Sequence, residues 1–455
     1  ALLTLRLAPL GARLGERMAT RGRGVIPLLA LAQVERSPGR YSRIILLLVL
    51  AVGMGLFALS FSASLQQNTY DRVAYQVGAD LRLTQYAAEV NGYGNTLDSE
   101  FARLPGVTNV TPVYRTQAAT APDQGGVPVR VLAVDPTTFA PVVNSTSWRS
   151  DYASQSLTSL MQGMIAHQDP AKTAGSTSAP IWALVSQTFA SQYQLSVGQR
   201  FSLQVPEASL TNESFLVGAI VQEFPTLYPQ EDPSGFIVVS LTDYTNSVSV
   251  AAPQLPNPVG PNEFWLRTNE NAAQEASLIS TVQSRPDLNV TSVESLRSDL
   301  ATEQANPINA GLQGLLLLGA IMAAALAIIG SAAQTLLGAT QRAIQFAVLR
   351  TLGLTGSELA RILLGEQLVV YLLGLLGGTL LGALLTTATL PYLQFSDPTL
   401  DPAKLGIPPY TLDTNWGEIG LFYLALVIAC GLALTLAARV AVRRGLGQAL
   451  RIGED

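Results

Sequence analysis

Cysteine and histidine occur once each in these 455 residues, as Cys430 and His167, and lysine twice, as Lys172 and Lys404. One cysteine excludes a disulfide framework. One histidine and one cysteine cannot build a zinc site of the usual four-ligand kind. A Ser-His-Asp triad would have to use His167, and no G-x-S-x-G accompanies it, so His167 reads as a surface residue. No G-x-x-x-x-G-K-[ST] is present and neither lysine follows a glycine run. The chain therefore does not bind ATP in the P-loop manner. No spacing among its carboxylates singles out a glycosidase-like pair. The chain reads as non-catalytic, with no cofactor of its own. Charge is also scarce: 13% of residues are ionisable, against about 25% in soluble domains. A membrane protein has that deficit.

The remaining charge is unevenly spread. Residues 65–307 carry 22 acidic and 11 basic side chains, net −11, and the rest carry 10 and 16, net +6. An acidic middle between basic ends excludes a nucleic-acid footprint. It fits one translocated domain. Four charge-poor runs are long enough to cross a bilayer core of about 30 Å: 44–63, 310–337, 362–390 and 419–442. Arginines cluster before the first run, between the second and third, and after the fourth. The loop at 391–418 has only Lys404 against Asp397, Asp401 and Asp413. The positive-inside rule puts the arginine-rich segments in the cytoplasm, and alternation of four spans gives the same orientation. The expected organisation is a cytoplasmic segment with an elbow helix at 1–43 and an extracytoplasmic domain at 64–309. A cytoplasmic loop at 338–361, an outer loop at 391–418 and a cytoplasmic tail at 443–455 complete it. The chain opens on Ala1, without a charged leader, so 1–10 reads as the tail of an earlier span in a longer protein.

The large insert is broken by turn signals and reads as α+β. Tyr70, Val73, Ala74 and Val77 extend the first span as a helix. Strands are expected at 80–84, 107–113, 127–134, 182–185, 200–205, 215–221, 236–239 and 264–267. Helices are expected at 97–104, 186–192 and 271–284, with 293–304 helical and running into the second span. Residues 145–179 read as an irregular insert and 252–261 as a linker. Two helical stalks thus tie the insert to the membrane.

Inside the spans ionisable groups are nearly absent; Glu366 and Gln334 sit near span ends. That argues against a proton relay or polar pore. Gly374, Gly378 and Gly382 form a small-residue stripe. Such stripes let helix backbones approach closely, and this one is a specific dimer contact or ordinary span composition.

The most informative segment is 338–367, GATQRAIQFAVLRTLGLTGSELARILLGEQ. Ile344, Val348 and Leu352 line one face of a helix that Gly353 ends. Such a helix lies on lipid headgroups or docks in a partner's groove. Here the sequence resembles the FtsX-like, MacB-type permeases of ABC transporters, whose loop follows R-x-x-E-I-x-x-L-R-x-x-G. This chain has Arg342, Gln345, Phe346, Leu349, Arg350 and Gly353 at the matching positions, then Glu366; Gln345 departs from the usual Glu. Further similar segments are Val77-Gly-Ala-Asp-Leu81, Leu104-Pro-Gly-Val107 and Leu195-Ser-Val-Gly198.

The resemblance implies four transmembrane helices with a MacB-like α+β core domain between the first two, in the plasma membrane. It implies a separate ABC ATPase that carries ATP and Mg and engages Gln341, Arg342, Gln345, Phe346, Leu349, Arg350 and Gly353. It also implies a second permease copy or a paired permease half. The function implied is mechanotransmission. Hydrolysis in the partner moves an outer domain that handles a lipid, lipoprotein, peptide or drug. The alternative is a signalling module whose outer domain engages an extracytoplasmic protein such as a cell-wall hydrolase, or senses a ligand.

Overall fold

The structure is a computed structural model and describes residues 38–85, 99–143, 146–168, 180–206, 211–228, 235–251, 260–269, 271–341, 356–393 and 406–451. They fall into two compact units. One holds residues 1–67, 306–393 and 411–455, and the other 68–305 and 394–410. The sequence assigns 391–418 to a loop of its own. Of its described residues, 406–410 fall with the inserted domain.

The first unit is built from helices α1 (Pro38–Val77), α8 (Pro307–Gln341), α9 (Gly356–Leu393) and α10 (Trp416–Arg451). All four are long and apolar enough to cross a membrane. Leu48, Ala51 and Val52 of α1 are buried with Ala323 and Ala327 of α8 and Leu426 and Cys430 of α10. The outward faces keep leucines exposed, such as Leu315, Leu380 and Leu421. A helix that is apolar all round suits a lipid surrounding. As the spacing of Tyr70, Val73, Ala74 and Val77 predicts, α1 runs unbroken to Val77. Gly78 ends it. Its φ of +86 is the left-handed conformation that suits glycine after a helix, and its N–H returns to the Ala74 carbonyl at 2.8 Å.

The inserted domain contains nine strands: β1 (Leu81–Gln85), β2 (Val107–Thr120), β3 (Pro128–Val134), β4 (Ile181–Ser186), β5 (Arg200–Val205), β6 (Thr211–Val221), β7 (Phe236–Ser240), β8 (Glu263–Thr268) and β9 (Val290–Ser295). Their order is β3-β7-β4-β6-β5-β2-β8-β1-β9, and β2 also pairs with β3. That extra pairing closes β2, β3, β7, β4, β6 and β5 into a ring. A closed ring leaves no unpaired strand edge. The 14-residue β2 serves both parts. Val107–Val113 faces β8, and Val113–Ala119 faces β3.

The helices of this domain are α2 (Phe139–Val143), α3 (Leu157–Ala166), α4 (Gln187–Gln192), α5 (Leu241–Ala251), α6 (Ala272–Gln283) and α7 (Leu296–Gln304). One face of the ring packs against α2 and α3, the other against α4 and α5. β1 and β8 pack on Leu278 and Val282 of α6. Strand β4 is buried at every position, as expected where both faces are covered.

Three expectations are corrected. The stretch read as an irregular insert contains α3, whose Leu157, Leu160, Met161 and Met164 are buried at helical spacing and whose cap is Ser156. Strand β2 does not stop at 113 but continues to 120. The segment read as a helix over 293–304 begins as strand β9, paired with β1. There β-branched Val290, Thr291 and Val293 gain cross-strand packing, and Ser295 then caps α7. Helix α7 stops at Gln304, and α8 starts afresh at Pro307, a residue suited to a helix's first turn. The linker expected at 252–261 lies mostly outside the described residues.

Candidate functional site

Of the residues expected to meet an ATPase, Arg342, Gln345, Phe346, Leu349, Arg350 and Gly353 lie outside the described residues. Gln341 closes α8.

The glycine stripe has a definite surrounding. A Cβ at Gly374 would lie 2.3 Å from Leu48 Cδ2, one at Gly378 2.5 Å from Val52 Cβ, and one at Gly382 2.9 Å from Leu56 Cβ. The partners on α1 are four residues apart and advance with the glycines. Hence α1 and α9 run parallel, as the first and third of four alternating spans must. At Gly378 and Gly382 the new atom would also stand 3.1 Å from the Val49 carbonyl and 3.0 Å from that of Gly53. Only hydrogen fits between backbones this close. The stripe packs closely against α1 of the same chain. Thr379 Oγ1 and the Tyr423 hydroxyl, 2.6 Å apart, link α9 to α10.

Two polar clusters organise the inserted domain. In the first, Glu263 is buried and accepts from Arg115 Nε at 2.6 Å, Arg115 Nη2 at 3.2 Å and Trp265 Nε1 at 2.9 Å. Burial alone would push its carboxyl up, but the Arg115 charge and hydrogen bonds outweigh that and hold it below the ordinary carboxylate range. Arg115 also donates to the Thr226 carbonyl at 3.3 Å and to its hydroxyl at 2.6 Å. Thr226 has φ +67, a conformation a β-branched residue adopts only when held. Its own N–H is held by the Tyr75 carbonyl at 2.8 Å.

The second cluster surrounds the end of α1. The Tyr75 hydroxyl donates to the Leu227 carbonyl at 2.5 Å and stands 3.3 Å from Glu223 Oε2. Burial pushes the Glu223 carboxyl up to about 7, against the lowering hydrogen bond from Tyr75; Asp151 adds to the rise and Arg149 opposes it. The folded state therefore keeps a proton that the unfolded chain releases above about pH 4.3. Stability contributed at Glu223 falls as pH rises from there to about 7 and is level beyond. Glu223→Gln is expected to flatten that slope and to raise the melting temperature above pH 7. Tryptophan fluorescence of the full chain in detergent at pH 5 and 8 measures both. A slope unchanged in the variant would remove Glu223 as its source.

His167 is exposed, 2.8 Å through Nδ1 from the Gly163 carbonyl and stacked on Trp182. Among the described residues no three His, Cys, Asp or Glu side chains converge as a metal site.

Comparison with known proteins adds one assignment. Residues 317–446 match the family model of the FtsX-like permease C-terminal domain. No curated protein matches the chain. Among solved structures, the extracellular domain of the noncanonic ABC-type transporter YknZ from Gram-positive bacteria is similar over 44% of this chain and 87% of that one, with 10% identity and a TM-score of 0.27. The periplasmic region of MacB from Actinobacillus actinomycetemcomitans is similar over 51% and 95%, with 9% identity and a TM-score of 0.31. Scores this low leave the functional reading to rest on the 317–446 match.

Proposed function

We propose that this chain, whose residues 317–446 carry an FtsX-like permease C-terminal domain, is the membrane subunit of an ABC system driven by a separate ATPase. The match carries the reading, because it spans α9, most of α8 and the segment 342–355 between them. That segment bears the Ile344, Val348 and Leu352 stripe flanked by Arg342 and Arg350. The spacing of that stripe predicts an amphipathic helix, which would dock by its apolar face while its charges set partner choice. The arginine distribution puts it at the cytoplasmic face of the plasma membrane, and the inserted domain outside.

Nucleotide-driven closure of the ATPase pair would move these helices and, through them, the inserted domains of two permease units. The spans offer few ionisable groups for a solute path, which favours movement over conduction. The chain itself performs no hydrolysis; ATP and Mg belong to the companion. The substrate, a lipid, lipoprotein, peptide or drug, would be handled at the inserted domain.

Purification of the full chain from its own membranes in mild detergent tests this. A P-loop ATPase is expected to accompany it. Arg350→Glu is expected to cut the retained ATPase about tenfold or more, the scale of reversing one interfacial charge. A chain that completes its cycle with no such companion would refute the proposal.

A further inference from the structure

Helices α9 and α10 belong to the unit of apolar helices, yet the segment that joins them belongs to the other unit. Its residues 406–410 are part of the inserted domain and are held there by specific contacts. Ile407 is buried among Tyr75, Tyr152 and Tyr228, with Trp148 beside them. Arg149 Nη1 donates to the Pro409 carbonyl at 2.9 Å and to Asp71 Oδ2 at 2.9 Å. Its Nε and Nη2 grip Asp151 at 3.0 and 2.5 Å, and the guanidinium stands 5.5 Å from the Tyr152 ring centroid. Asp71 and Tyr75 both lie on α1. One arginine therefore fastens the joining segment to the same helix end that carries the first span into the domain.

We propose that residues 406–410 are a strap through which α9 and α10 pull on the inserted domain, with Arg149 as the positioning residue that fastens it. The inserted domain would then be driven at two points, by α1 and by the strap. Three features suit the segment to bear tension. Ile407 is an apolar plug whose withdrawal would expose it to water. Arg149 is held by two carboxylates, so its grip on Pro409 is preorganised and charge-assisted. Pro408 and Pro409 have fixed φ, so the strap has little slack next to its anchor. A displacement of α10, which begins at Trp416 just after the strap, would carry the domain along or unseat Ile407.

The idea rests on the nucleotide-driven movement proposed above, and the experiment separates the two. The full chain with its co-purified ATPase is studied by hydrogen exchange with and without a non-hydrolysable ATP analogue. In the wild type, the analogue is expected to change exchange in the inserted domain. Ile407→Asp is expected to raise exchange at 406–410 at least tenfold and to cut that nucleotide response by half or more, while hydrolysis continues. Arg149→Gln, which keeps a donor for Asp71 and Asp151 but shortens the reach to Pro409, guards against misfolding. It is expected to lose the response with little change in melting temperature, and Arg149→Lys to restore part of it. A wild-type response that survives in both variants, with 406–410 released, overturns the strap alone. A wild-type chain with bound ATPase and no nucleotide response overturns the strap together with the driven movement.

Discussion

Replacing Arg115 with methionine is expected to destabilise the inserted domain by about 3–5 kcal/mol, the cost of leaving one partner of a buried ion pair uncompensated. Methionine fills the aliphatic volume but offers no donor. Glu263, 5% exposed, would keep only the Trp265 hydrogen bond. Thr226 would also lose both of its Arg115 contacts and with them part of the hold on its left-handed backbone. Thermal unfolding of the full chain, followed by tryptophan fluorescence, should shift by roughly 10 °C for a domain of this size.

The pH dependence has a definite sign. A carboxyl held below its ordinary value contributes stability above about pH 4.3, lost as pH falls through the lower folded value. The variant should therefore differ most from the wild type at neutral pH and least near pH 4, where Glu263 can take up a proton. The double variant Arg115→Met with Glu263→Gln removes the charge and keeps an acceptor for Trp265. It should recover most of the loss. A single-variant cost under about 1 kcal/mol, the range of an exposed pair, would show that the pair contributes little.

Gly378→Leu is expected to loosen the bundle of apolar helices. A Cβ there would stand 2.5 Å from Val52 Cβ and 3.1 Å from the Val49 carbonyl, and neither is the free end of a flexible side chain. Helix α9 would have to move away from α1, and overpacking of this kind costs about 1–3 kcal/mol. Gly420→Leu is the control, because nothing lies within 4 Å of its Cβ position. The single cysteine supplies the probe. Cys430 is buried beside Leu48 and Ala327, so maleimide should label it several-fold faster in Gly378→Leu than in Gly420→Leu. Val52→Gly removes the Cβ at the point of collision and should slow labelling again in the double variant. Equal rates in Gly378→Leu and the control would mean that α1 and α9 are not closely packed there.

Both predictions draw on pairs that are remote in sequence. Arg115 and Glu263 are separated by 148 positions, and no pattern around either residue points to the other. Gly378 and Val52 stand on different helices. The glycine spacing marks a surface for close approach but leaves open what approaches it. The strap is harder still to read. Ile407-Pro-Pro-Tyr410 looks like an ordinary proline-rich connection, and only Arg149 and three tyrosines from other elements give it a role. The helix α3, by contrast, was readable. Its buried positions repeat at helical spacing, and the Ser, Thr, Gln and Gly on either side mask them.

Composition and local pattern by themselves determined the class of this protein: four long apolar helices and one large α+β insert. Those properties follow from hydropathy, charge and residue inventory, which are sums over neighbouring positions. The family likeness of the loop at 341–353 is equally a local pattern. The tertiary structure alone decided that β2 pairs with β8, β5 and β3 of one sheet, closing a ring of strands on one of its sides. It decided that α1 is the partner of the glycine stripe, that Arg115 neutralises Glu263, and that residues 406–410 belong to the inserted domain. Each of these pairings is selected by shape and charge between residues far apart in the chain, so it exists only once the chain has folded.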